Sequence, residues 1–141
     1  MDRTNLMLAA LAAGGENASF TPVQVQKLFF LIDREIAPLV GGPHFAFKPY
    51  DYGPFDRAVY GALDVLRLGE LVNTHDTGRY RVYQLSPEGY RRGIENLAQL
   101  EEPARGFVEQ AASWVRRLTF QQLVAAIYKR YPEMKVNSVF S

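Results

Sequence analysis

Apolar residues recur three and four apart over several stretches of this chain, a spacing that lines one side of a helix. From Phe55 onward, Val59, Ala62, Leu63 and Leu66 keep that rhythm and predict a helix over 56–68. Gly69 follows where a helix takes a left-handed stop, the conformation that costs glycine least. Leu71 and Val72 open an extended run, and His75-Asp76-Thr77-Gly78 has the composition of a hairpin loop. Residues 79–85 are rich in β-formers, with Tyr83 and Leu85 on one face over the core and Arg81 on that face nearer the loop. Ser86 then offers a capping oxygen, with Pro87 at the first helical position and Glu88 beside it.

Upstream, residues 5–13 read as a short alanine-rich helix stopped by Gly14-Gly15, its small side chains suited to close packing. Thr21, Pro22 and Gln24 form a capping box, and Phe20 is placed to staple onto Val25. Val25, Leu28, Phe29, Ile32 and Ile36 make one broad stripe, leaving Lys27, Asp33, Arg34 and Glu35 in solvent. Pro38 and Gly41-Gly42-Pro43 end that helix. Phe45 and Phe47 then alternate inward from an extended segment that Pro49 keeps from being a central strand. Residues 50–56 crowd aromatics around a rigid turn.

The last third is helical. Residues 87–100 carry Tyr90, Ile94, Leu97 and Leu100 on one side, and Glu101-Glu102-Pro103 breaks the run. Phe107, Ala111, Trp114, Val115 and Leu118 mark a second helix ending in Arg116-Arg117. Thr119 with Gln122 forms another capping box, opening a helix that carries Leu123, Ile127 and Tyr128 until Tyr131-Pro132. Residues 135–141 read as an ordered tail, with Val136, Val139 and Phe140 available to pack.

At 141 residues, 48% hydrophobic and 22% charged, the chain suits one globular domain of mainly α (α+β) class. A core over 1–90 and a helical extension over 91–141 divide it. Without cysteine there is no disulfide framework, which suits a reducing compartment. The apolar run at Leu6–Ala13 is too short for a signal peptide or a membrane span, so a cytoplasmic location is expected, with no membrane partner. The net charge of +1 divides into −2 over residues 1–70 and +3 over the rest. A dedicated DNA binder concentrates basic residues more strongly, because phosphate neutralisation dominates its affinity.

The order helix, strand, loop, strand, helix is that of a winged helix with a two-stranded wing. Leu-x-x-Gly-Glu-Leu-Val, then Arg-Tyr-Arg-Val-Tyr-Gln-Leu-Ser-Pro-Glu-Gly-Tyr, resembles the recognition-helix end and wing of MarR- and PadR-type regulators over roughly forty residues. Upstream, Val25-Gln26-Lys27-Leu28-Phe29-Phe30, then Tyr52-Gly53-Pro54-Phe55 and Val59-Tyr60, resemble the Panacea (SocA-like) domain of antitoxins and small phage-associated proteins. Val25 stands where that family has leucine, and Pro49-Tyr50-Asp51 where it commonly has Ala-Trp. Ile127-Tyr128, Tyr131-Pro132-Glu133 and Asn137-Ser138-Val139-Phe140 are similar to tails of related small proteins.

Two non-enzymatic functions follow. The first is a DNA-binding transcriptional regulator, dimeric through its C-terminal helices, with Arg57, Tyr60, Arg67, Arg79 and Arg81 meeting nucleic acid. Arginine is the best single reader of guanine, and the hairpin tip is suited to the backbone or minor groove. Arg57 and Arg67 equally suit ion pairs with neighbouring acids, and Arg79 with Arg81 equally suits a charged strand edge that discourages aggregation. The second, implied by the Panacea resemblance, is an antitoxin-type module that binds a protein partner such as a toxin through Tyr50, Asp51, Tyr52 and C-terminal surfaces. No Cys-x-x-Cys, His-Glu-x-x-His, Gly-x-Ser-x-Gly or phosphate-loop spacing occurs, so no cofactor, metal or catalytic centre is expected.

Overall fold

The computed structural model describes residues 1–140. Its element order is α1 (Arg3–Ala12), β1 (Ser19–Phe20), α2 (Pro22–Ile36), β2 (Lys48–Tyr50), β3 (Gly53–Phe55), α3 (Ala58–Leu68), β4 (Val72–Asp76), β5 (Arg81–Leu85), α4 (Pro87–Gln99), α5 (Ala104–Arg117) and α6 (Phe120–Arg130). Six helices thus accompany a three-stranded antiparallel sheet, order β1-β5-β4, and a separate β2-β3 hairpin. No helix of the described residues is long and apolar enough to cross a membrane.

α2 is the axis. The Thr21 side chain accepts from the Gln24 N–H while the Gln24 side chain accepts from the Thr21 N–H. The expected stripe is buried, yet Gln26, Lys27, Phe30 and Leu31 are buried too. Lys27, expected in solvent, is 2% exposed. The β2-β3 hairpin, α3, α5 and α6 all pack on this helix, so the stretch from Val25 to Ile32 has no solvent side. The unbroken apolar run from Leu28 to Ile32 is the matching sequence signal, since a helix apolar all round is a buried one. Phe45 and Phe47 fold inward against Phe29 and Phe30, with centroids 6.0 and 5.7 Å away.

The ribbon over 72–85 forms as expected, with Val72 opposite Leu85 and Asp76 opposite Arg81. His75 and Asp76 belong to β4, so the loop runs over 77–80, where the Thr77 N–H donates to the Tyr80 carbonyl. The preceding helix stop differs in one residue. Gly69 keeps an ordinary φ of −82°, and Glu70 takes the left-handed conformation at φ 62°. The Leu71 N–H reaches the Leu66 carbonyl and the Glu70 N–H the Arg67 carbonyl, a Schellman closure displaced by one position.

α4 keeps most of the expected face on the core, with Leu97 and Leu100 buried and Tyr90 half-buried, but it is rotated toward its glycines. Gly89, Gly93 and Leu97 are buried, while Ile94 is 40% exposed. A Cβ at Gly93 would lie 2.4 Å from the Leu8 carbonyl oxygen and 2.7 Å from the Ala12 Cβ. Glycine against the alanine-rich α1 allows an approach that larger residues forbid, and that contact sets the helix rotation. α5 and α6 lie on α2, their inner residues Val108, Ala112, Val115, Leu123 and Ile127 sharing one apolar cluster with α1–α3. In the tail, Val136 and Val139 are exposed rather than packed. Its polar groups do the attaching instead, through Asn137 to the Pro49 carbonyl and the Val139 N–H to the Asp51 carbonyl. Ser141 lies outside the described residues.

Candidate functional site

Residues 25–30 and 52–56 are clasped together. The Gln26 amide donates to the Asp56 carbonyl and accepts from the Asp56 N–H, both at 3.0 Å. Lys27 Nζ donates to the Pro54 carbonyl at 3.1 Å. Asp56 extends the clasp, accepting from the N–H groups of Ala46 and Ala58. Gly53 sits at φ 99°, where a side chain would be strained and its Cβ would press on the Tyr128 ring at 3.1 Å. The Gln-Lys pair therefore reads the backbone of Gly-Pro-Phe-Asp rather than solvent.

Fixing that turn pushes Tyr50 and Tyr52 outward. Both are half-exposed, Tyr50 edge-on to Phe55 at 5.5 Å and Tyr52 edge-on to Phe120 at 5.1 Å. Phe55 meets Tyr60, which stacks on Tyr83 at 6.3 Å and 12°. These rings bound a groove of about 600 Å³ whose floor and ends come from Lys27, the first turn of α2, the first turn of α6 and Tyr80 of the hairpin loop. The tail holds the outer wall: the Asp51 carbonyl accepts from the Val139 N–H at 3.0 Å and from the Ser138 and Tyr128 hydroxyls. Phe140 backs Phe120 edge-on at 6.1 Å.

The electrostatics follow from burial. Lys27 has lost its water, and its pKa falls from 10.5 to about 7. No carboxylate lies within ion-pair distance of it among the described residues. Tyr60 and Tyr83 are pushed up, in both cases first by burial.

The residues singled out by sequence separate into two places. Tyr50, Asp51 and Tyr52 form the groove's rim, joined there by Tyr60. Tyr60 thereby leaves the set of arginines with which it was grouped. Arg57 and Arg67 stand exposed at opposite ends of α3, and Arg67 pairs with Asp64 at 3.5 Å. Arg79 and Arg81 are exposed on the hairpin. On α3, Val65 and Leu68 are 60% and 74% exposed. Sequence reasoning missed Gln26, Lys27 and Phe120 as parts of the site, because each acquires its role from a partner distant in sequence. No family model, curated protein or solved structure matches this chain.

Proposed function

We propose that this chain is a non-enzymatic, antitoxin-type module that binds a protein partner through the aromatic groove. The observation that carries this reading is the groove itself: half-exposed Tyr50, Tyr52 and Phe120 held around an open concavity by the Gln26–Lys27 clasp and the tail. Rigid aromatics whose backbone is already tied down give large contact area at low entropic cost, which is how interface anchors work. The Panacea resemblance supports the same reading, since its Gln-Lys and Tyr-Gly-Pro motifs are the parts that build the groove. Co-expression with the product of the adjacent gene tests it. A stable complex on size exclusion, lost in the Tyr52→Ala/Phe120→Ala double variant with its helical circular dichroism intact, is the expected result. Absence of any complex removes the proposal.

A second reading, a winged-helix DNA-binding regulator, is favoured by one specific arrangement. Strand β1 joins β5 in the order β1-β5-β4, and the α3–hairpin–α4 succession follows, with Arg57, Arg79 and Arg81 exposed and outside every ion pair among the described residues. Against it, the outer side of α3 offers Val65, Leu68 and an arginine already paired with Asp64, a surface with little to hold phosphates or base edges. A gel shift on the gene's upstream region at low salt decides this reading. Binding that weakens steeply with salt and on Arg79→Glu supports it, and no shift ends it.

A further inference from the structure

Lys27 is an amine placed where its charged form is costly. It is 2% exposed, offers three N–H donors, and has one acceptor within reach, the Pro54 carbonyl. Met or Leu would fill the same volume without the desolvation penalty, so the retained amine calls for a partner that the chain itself does not supply. Lys27 is among the residues that line the groove, its Nζ lying against the Gly53-Pro54 turn. The first turn of the fifteen-residue α2 lies beside it, and the first turn of α6 closes the other end, each with the partial positive charge of a helix N-terminus. Two helix ends and a buried ammonium all favour one sign of ligand. The flanks, Tyr50, Tyr52 and Phe120, favour apolar or aromatic side chains. Asp51 is the acid on the rim, and it is exposed and screened by solvent.

Resting on the protein-binding reading above, we infer that the groove takes an acidic segment of the partner, with an Asp, Glu or terminal carboxylate set against Lys27 and apolar neighbours on Tyr50, Tyr52 and Phe120. A carboxylate there supplies further acceptors and a counter-charge together, in place of the water that burial takes from Lys27. It also makes the interaction selective, because an amide at that position supplies an acceptor without the counter-charge and an amine is repelled.

The test uses the full chain and short fluorescein-labelled peptides of alternating Leu and Glu, Leu and Gln, and Leu and Lys. The wild type is expected to bind the Glu peptide about tenfold or more tightly than the Gln peptide, the ratio that one charge-assisted hydrogen bond supplies. Lys27→Met, which keeps the buried stem, is expected to bind the two alike. Equal binding by the wild type, or a Glu preference that survives Lys27→Met, overturns the inference. The adjacent-gene complex separates the two failures: if it forms equally well with Lys27→Met, the groove still binds protein and only the carboxylate is wrong. If neither the peptides nor that complex bind, both fall.

Discussion

Replacing Lys27 by Met gives a stability change whose dependence on pH can be worked out. The amine titrates at about 7 in the folded chain and at 10.5 when exposed. Between those values the unfolded chain binds more protons than the folded one, so stability rises with pH across that window and the penalty is fully present below it. Writing both binding polynomials, the wild type gains about 2.5 kcal/mol between about pH 6.5 and about pH 9 from this group alone. Met has no proton to exchange, so its variant lacks that gain. The lost hydrogen bond to the Pro54 carbonyl adds an offset of about 1–3 kcal/mol that does not vary with pH, so the slope is the diagnostic quantity and the absolute difference is not.

Urea unfolding at constant ionic strength, followed by the fluorescence of Trp114, the single tryptophan, measures both proteins across the range. Every other ionisable group is common to the two chains and cancels in the comparison. The scan stops near pH 9 because Tyr131, pushed up to about 12 by burial and by its hydrogen bond to Glu35, acts in the opposite sense: an acid raised on folding loses stability as pH climbs past its unfolded value. Tyr60 and Tyr83, also raised, do the same. Parallel curves for wild type and variant would refute the reasoning, because they would place the amine in water in the folded chain.

Two further substitutions test the packing that positions the groove. Gly93→Ala is expected to destabilise by about 1–3 kcal/mol, since its Cβ meets the Leu8 carbonyl at 2.4 Å and α1 must retreat from α4; a neutral result in thermal unfolding would mean that the helices are not in contact there. Glu70→Gly is expected to raise stability by about 0.5–1 kcal/mol in the same assay, because glycine occupies φ 62° without strain, and a loss of stability would contradict the displaced helix stop.

Features settled within three or four residues were legible in the sequence. Thr21, Ser86 and Thr119 cap their helices because each hydroxyl bonds an N–H three residues on, a contact that needs no distant part of the chain, although Ser86 also donates to the Glu70 carbonyl. The buried side of α3 was legible for the same kind of reason, as Val59, Ala62, Leu63 and Leu66 repeat at the helical period. On α4, Ile94 departed from the expected buried face because the approach of α1 at Gly93 counts for more than its burial. The site divides along the same line. Tyr50 and Tyr52 announce an aromatic surface by composition, whereas Phe120 becomes its opposite wall only after α5 carries the chain back across α2. Lys27 shows the limit most sharply. A lysine beside an apolar stripe reads as a solvated surface residue until a second segment brings the Pro54 carbonyl over it and removes the water. Its identity states what it can donate; its surroundings decide that the Pro54 carbonyl is what it donates to.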